Sequence, residues 1–274
     1  MSNIDDKTVK SFGDEWSRFD QSSMSSEESE KIFKEYFLIF PWEKINQSSE
    51  GFDMGCGSGR WAGIVAPKVG KLNCIDPSNA IEVARNSLKH LKNITFERAS
   101  VDNSSMPQNS QDFGYSLGVL HHIPNTTSAI KSCVQYLKPG APLLLYLYYK
   151  FDNRALWYRV LWRLSDFFRI IINPLPPILK HFVTNLIAAF IYLPLARLAK
   201  LFSKLGLSTK SFPLSYYQDH SFFTMKTDSR DRFGTPLEQR FTKKEIEIMM
   251  IESGLEKISF SDHAPYWCVV GYKK

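Results

Sequence analysis

From residue 51 to residue 150 the chain alternates short apolar runs with amphipathic stretches. The runs at 51–54, 71–76, 94–98, 113–117 and 142–149 read as strands. Between them, 60–69, 79–91 and 126–137 read as helices. Lys138-Pro139-Gly140 closes the last of these, with glycine where a left-handed helix cap is expected. Strands alternating with helices predict a parallel sheet covered on both faces. Ligands of such sheets sit beyond the C-terminal strand ends, where strand order reverses, so the informative residues are expected there.

The flanks carry other patterns. Val9, Phe12, Trp16 and Phe19 are spaced by 3, 4 and 3, which predicts a short amphipathic helix packed on the domain or folded over its ligand. Residues 22–30 form a Ser/Glu-rich linker. Its acids open a helix that runs from Ser26 through Ile32, Tyr36, Phe37 and Phe40, and acids in a first turn suit the helix dipole. Near the C-terminus, Thr242 with Glu245 three residues on predicts a capping box. That helix runs to Ser253 and stops at Gly254, and 257–261 with 267–272 predict a closing hairpin.

Between the fifth strand and that last helix lies an insertion of about ninety residues. At 153–172, Trp157, Val160, Leu161, Leu164, Phe168 and Ile171 share one helical face, and Arg159, Arg163, Asp166 and Arg169 share the other. Pro174, Pro176 and Pro177 break the chain, and 178–205 is apolar almost all round. Its uncharged run of 16 residues contains Asn185 and Pro194 and is shorter than the roughly 20 residues that span a bilayer, so no transmembrane helix is expected. A buried cap over a site and a helix pair lying in a membrane interface both fit. Residues 151–210 hold nine Lys/Arg against Asp152 and Asp166, a net of +7, against +6 for the whole chain. Basic charge beside an apolar face is what anionic lipid surfaces bind. The stretch 214–240 has little periodicity and reads as an unpatterned loop. Tyr216, Tyr217, Asp219 and His220, with Asp231, Arg232, Glu238 and Arg240, are its candidate acceptor-side groups, and a salt-bridged loop is the plainer reading of each one.

Composition narrows the classes. With 274 residues and 43% hydrophobic content, a full core is available and disorder is not the default. Cys56, Cys74, Cys133 and Cys268 show no C-x-x-C spacing, so neither a zinc site nor a disulfide framework is expected. The acidic, polar start Met-Ser-Asn-Ile-Asp-Asp shows no secretory signal, so a cytoplasmic setting, with peripheral contact at a membrane, is expected.

The chemistry centres on 51–61. Three glycines at alternate positions, Gly55, Gly57 and Gly59, precede a predicted helix. Glycine lets a ligand approach the main chain, and a helix start offers free N–H groups. A dinucleotide fingerprint is G-x-G-x-x-G, but Arg60 stands where its last glycine would fall. Asp53, two residues before Gly55, gains nothing from a phosphate but would favour a cationic ligand. After the second strand, Asp76-Pro77-Ser78 places a carboxylate able to accept both hydroxyls of a ribose. After the third comes Ala99-Ser100-Val101-Asp102, and after the fourth Leu117-Gly118-Val119-Leu120-His121-His122-Ile123-Pro124.

Taken in order, these motifs resemble those of the class I S-adenosylmethionine (SAM) methyltransferases. The resemblance covers roughly 50–150 and 242–274. It implies a Rossmann-like doubly wound α/β sheet, mostly parallel with an antiparallel last strand. The implied organisation is an N-terminal segment 1–30 serving as a lid, a SAM-binding core 31–150, the helical insertion 151–240 and a closing helix with two strands, 241–274. The implied cofactor is SAM. Its cationic end is expected near Asp53 and the loop Gly55, Cys56, Gly57 and Gly59, and its ribose at Asp76 and Pro77. Adenine is expected at Ser100, Val101 or Asp102; the family often has an acid where Ser100 stands. The methionine end is expected at Leu117 and Gly118, with Arg60 pairing with its carboxylate or with a nearby acid. The amino-directed DNA methylases carry Asn/Asp-Pro-Pro-Tyr/Trp at this last corner, and this chain does not. Within the family the likeness is to the small-molecule branch, including quinone methyltransferases. It implies methyl transfer to O, N or C of a hydrophobic small molecule, free or membrane-resident. A soluble metabolite or sugar under a closed cap, and a SAM-binding scaffold without turnover, are the alternatives. An anionic membrane surface is an expected partner, nucleic acid is not, and no metal is expected. His121 or His122 could serve as general base; equally, one could cap the next helix while the other packs.

Overall fold

The computed structural model describes residues 3–18 and 26–274. The chain forms two compact units: Met1–Gln21 with Glu30–Tyr149 and Leu237–Lys274, and Ser22–Ser29 with Lys150–Pro236.

The first unit opens with α1 (Asp6–Arg18) and α2 (Ser26–Tyr36), the second shared between the units. Phe19, the last position of the predicted N-terminal pattern, lies outside the described residues. The acid-rich stretch read as linker is helical from Ser26 onward, and α2 ends at Tyr36, short of the predicted Phe40. Phe37 and Phe40 are nevertheless buried, against Trp42 and the sheet residues Tyr115 and Phe113.

Then come β1 (Glu50–Met54), α3 (Ala62–Val65), β2 (Lys71–Ile75), α4 (Ala80–Ser87), β3 (Ile94–Glu97), β4 (Phe113–Leu117), α5 (Thr126–Tyr136) and β5 (Pro142–Tyr146). All five strands form where expected, and the pairs β1–β2, β1–β4, β2–β3 and β4–β5 are parallel. With β6 (Leu255–Phe260) and β7 (Cys268–Lys273) the seven-stranded order is β3-β2-β1-β4-β5-β7-β6. β7 is antiparallel to both its neighbours. This is the expected fold class. Order reverses between β1 and β4, so the crevice for a ligand opens at their C-terminal ends. Two glycines set that seam. Gly51 pairs with Phe113 and Phe52 with Gly114, and a Cβ on either glycine would fall within 2.3 Å of the facing ring.

Three local expectations need correction. The predicted helix 60–69 is one α turn, Ala62–Val65, followed by a 3-10 turn containing Pro67, which has no N–H to extend an α-helix. α5 ends at Tyr136 with an extended Leu137, so Gly140, at φ 78°, shapes the turn into β5 rather than capping the helix. His121 and His122 do not cap α5; the Asn125 side chain does, accepting from Ser128 N at 2.9 Å. At the other end, α10 (Lys243–Glu252) forms with both halves of its capping box and a left-handed Gly254.

The second unit contains α6 (Leu156–Ile172), α7 (Pro177–Ile187), a π-helical turn (Ala188–Tyr192), α8 (Leu193–Lys204), a 3-10 turn (Ser215–Asp219) and α9 (Phe222–Gly234). Pro177–Lys204 runs as a single 28-residue helix, long enough to cross a bilayer, whereas the sequence suggested too short a run. The π turn ends two residues before Pro194 and widens the helix where proline would otherwise interrupt it. The loop expected at 214–240 is also wrong in part. α9 occupies 222–234, capped by Ser221, and the buried side chains on it include Thr224, Thr227, Ser229, Arg230 and Arg232. Periodicity missed it because the face it buries is largely polar. A small apolar core, Ile172, Ala188, Tyr192, Ala196, Met225 and Phe233, closes this unit.

Candidate functional site

The glycine loop is built against the end of β2. Gly55 N and Cys56 N both donate to Ile75 O, at 2.7 and 3.1 Å. Gly55, Gly57 and Gly59 have φ of 80°, 53° and 83°, a region that side chains with a Cβ resist. Asp76, just past β2, clamps the loop: its Oδ2 accepts Gly57 N at 2.9 Å, and its Oδ1 accepts Ser78 N at 2.8 Å and Ser78 Oγ at 2.6 Å. Burial still holds its pKa above the ordinary carboxylate value, against the lowering effect of those hydrogen bonds. Cys56 is buried and its thiol is held well above the usual range, so it stays neutral. With α3 only four residues long, no extended helix dipole backs the loop, and the N–H groups of Gly55, Cys56, Gly57 and Gly59 are already donated within the fold.

Asp53 lies beneath this loop and is 1% exposed. Among the described residues its Oδ2 has no hydrogen-bond partner, and neither has the Tyr115 hydroxyl. Burial pushes the Asp53 carboxyl up to about 8; the nearby Tyr115 hydroxyl pulls the other way without meeting hydrogen-bond geometry, and the Asp76 charge adds to the rise. A buried carboxylate oxygen left unmatched is a costly feature in a fold and is relieved by a cation.

The remaining corners are partly occupied by the N-terminal segment. Ser100 Oγ donates to Asp102 Oδ1 at 2.5 Å, and Asn3 N approaches Asp102 Oδ2 at 3.4 Å. Asn3 also exchanges two 2.9 Å hydrogen bonds with the Asn125 backbone. Val101 is 4% exposed. Further along α1, Gly13 packs against Ser78 and Asn79, and the Phe12 ring meets His122 edge-on at 4.9 Å. The N-terminal segment therefore reaches the corners after β2, β3 and β4. At the β4 corner Leu117 is buried, Gly118 N donates to Tyr146 O at 3.0 Å, and a Cβ on Gly118 would meet nothing within 4 Å.

The two histidines have different surroundings. His121 is fully buried and stacks on Tyr148 at 3.9 Å. Tyr148 N donates to its Nδ1 at 3.4 Å, which places the ring proton on Nε2, and that atom is buried without a partner among the described residues. Burial, then His122 and Arg240, hold its pKa well below the ordinary imidazole value. His122 Nδ1 lies 2.6 Å from Leu237 O. A carbonyl only accepts, so Nδ1 carries the proton and Nε2 keeps the lone pair a base needs. Arg240 lies over the Tyr148 ring at 4.9 Å and pairs with Glu238 at 2.7 Å.

Residues 52–145 match the family model described as a methyltransferase domain. That match and the seven-stranded order support the class I SAM-dependent methyltransferase fold for this core. No curated protein matches the chain significantly. Among solved structures, a Haloferax volcanii protein in complex with the Trm112 methyltransferase activator is similar over 95% of this chain and 96% of its own, with TM-score 0.56 and 12% identity. A SAM-dependent methyltransferase from Thermotoga maritima aligns over 96% and 100%, with TM-score 0.49 and 13% identity. One from Aquifex aeolicus aligns over 91% and 98%, with TM-score 0.47 and 13% identity. At such identities the Haloferax match speaks to fold alone.

The first unit brings together Asp53, the three loop glycines, Asp76, Pro77, the Ser100–Asp102 corner, Leu117, Gly118, His121 and His122. Tyr216, Tyr217 and His220 belong to the second unit and are engaged within it. The Tyr217 hydroxyl donates to Asp228 at 2.8 Å, and burial with that carboxylate raises its pKa well above the usual phenol value. His220 Nδ1 donates to Tyr216 O at 2.8 Å, and Asp219 pairs with Lys200 at 3.0 Å. Sequence reasoning missed the rings beside the core's crevice. Tyr36 meets Trp61 at 5.1 Å and Tyr146 at 5.0 Å, and Tyr146 meets Tyr148 at 5.8 Å. The signal available was the Tyr-x-Tyr repeat closing the fifth apolar run.

Proposed function

We propose that this chain transfers the methyl group of SAM to an O, N or C atom of a hydrophobic small molecule. The observation that carries the reading is Asp53 Oδ2, buried and unmatched beneath a three-glycine loop that Asp76 clamps. SAM supplies a sulfonium-bound methyl already activated for in-line transfer, and its positive charges are the sulfonium and the ammonium of its amino-acid end. Asp53 would meet positive charge, Asp76 and Pro77 the ribose, Ser100 or Val101 the adenine, and Leu117 and Gly118 the methionine end. Asp76 still has acceptor capacity for a ribose hydroxyl, since each carboxylate oxygen accepts more than one hydrogen bond.

The rings of Tyr36, Trp61, Tyr146 and Tyr148 favour an apolar or planar acceptor. Should the acceptor need to lose a proton, His122, whose Nδ1 is held by Leu237 O, would be the group to take it. Otherwise the core's task is alignment of the two reactants and exclusion of water. Turnover with methyl-labelled SAM in a lipid extract tests this. Label in an extractable small molecule supports it. Tight SAM binding with no labelled product across lipid and polar extracts would instead favour a scaffold.

A further inference from the structure

Outside the unit's small apolar core, α6 and α7 turn polar side chains inward and large apolar ones outward, unlike helices of a water-soluble bundle. Soluble helices bury their apolar stripe. In α6, Ser165, Asp166 and Arg169 are partly buried, while Phe167 and Ile170 stand 63% and 71% exposed. In the Pro177–Lys204 helix, Lys180, His181 and Thr184 are buried, while Ile178 and Phe190 are 79% and 75% exposed. Of the twenty-three exposed large apolar side chains among the described residues, nineteen fall between Leu156 and Leu207. They form a concentration far beyond the scattered apolar residues of an ordinary surface.

The inner faces are locked by polar bonds. Lys180 Nζ donates to Gly234 O at 3.0 Å, Ser229 Oγ to Thr184 O at 3.0 Å, and Arg232 pairs with Asp166 at 2.6 Å. Simple rotation of the helices to hide the apolar faces would break these bonds. The outward faces therefore need an external apolar partner, and charge selects which. Residues 151–210 carry a net of +7, and Arg159, Arg163 and Lys204 stand exposed among the apolar side chains. A second copy would bring like charge to like. An anionic bilayer supplies both hydrocarbon and opposite charge.

We infer that the second unit docks on an anionic membrane, with the outward faces of α6, α7 and α8 immersed in one leaflet. A full crossing is disfavoured even though the helix is long enough. The buried face of α7 is bonded to α9, which carries Lys226, Asp228, Arg230, Asp231 and Arg232, and a crossing would draw these into hydrocarbon. The inference stands on this unit alone and survives loss of the proposed activity.

Flotation of the full chain with phosphatidylcholine vesicles, with and without phosphatidylglycerol, is the test. The chain is expected to float with the anionic vesicles and much less with the neutral ones. Phe167→Asp with Ile170→Asp, both at exposed positions, should abolish flotation, and Arg159→Glu with Arg163→Glu should cut partition at least tenfold. SAM calorimetry on each variant verifies that the core is intact. Acyl-chain-brominated lipid should quench tryptophan fluorescence, and Trp157→Phe should remove most of that quenching. The inference is overturned if a chain that binds SAM does not float. It is equally overturned if both double variants float like the parent, or if sedimentation shows a discrete dimer that the apolar variant dissolves and that ignores vesicles.

Discussion

Asp76 Oδ2 accepts the Gly57 N–H at 2.9 Å, so the carboxylate after the second strand also fixes the loop after the first. Two motifs that look independent in sequence are one structural element. Asp76→Asn keeps the shape but gives up charge-assisted bonds to Gly57 and Ser78. Loss of such bonds at a buried site is expected to cost about 1–3 kcal/mol. A urea titration should show the midpoint falling with an unchanged slope.

Asp53 makes the fold pH-sensitive. Its carboxyl, ordinarily at 3.8, stands at about 8 in the folded chain. A raised value means that the folded state holds the proton more tightly. The associated stability is complete below pH 3.8 and is lost as pH rises toward 8. Without ligand, the melting temperature should therefore fall between pH 6 and 8.5 more steeply for the parent than for Asp53→Asn. Binding of a cation at Asp53 expels that proton, so SAM affinity should rise with pH up to about 8 and then level off. Calorimetry in buffers of different ionisation enthalpy should detect proton release at pH 7 for the parent and none for Asp53→Asn.

Gly118 and Gly59, both with positive φ, differ in what a methyl group would meet. At Gly118, φ is 78° and the space is open, so Gly118→Ala should cost about 1–2 kcal/mol from backbone strain. At Gly59, φ is 83° and the Cβ would also fall 2.7 Å from Leu88 Cδ1 and 3.1 Å from Ala84 Cβ. Gly59→Ala should be the more destabilised of the two in the same thermal melt. An equal cost would mean that the Leu88 side chain swings aside freely.

His121 and His122 are separable. The His121 pKa is lowered, so its contribution to stability is complete above the ordinary 6.5 and is lost as pH falls below it. Its ring should show no NMR titration between pH 8 and 6.5, and His121→Asn should act mainly on stability. His122→Asn should leave SAM binding intact and lower kcat by about 10²–10⁴-fold if the acceptor must be deprotonated. An unchanged kcat and pH profile in that variant would assign His122 to packing.

The core was legible because its elements are local. Each strand is an apolar run and each turn carries its own glycine or cap, as at Thr242 and Glu245. The clamp of Asp76 on Gly57 was not legible, because a carboxylate's second partner is set by the tertiary fold. α9 was missed for a related reason: Thr227, Ser229, Arg230 and Arg232 are buried by bonding, and a buried polar face looks like a loop to any reading based on apolar spacing. The shared apolar face of α6 was correctly read, but sequence could not say which way it points. Its exposure follows from partners in other elements, such as Arg232 holding Asp166.

The claim that the loop and its two aspartates form a SAM site is tested most directly by isothermal calorimetry of SAM into the full chain at pH 8. The account predicts one site per chain, with affinity weakened at least about tenfold in Asp76→Ala, equivalent to about 1.4 kcal/mol. No heat of binding in the folded parent, or an affinity unchanged by Asp76→Ala, would contradict it.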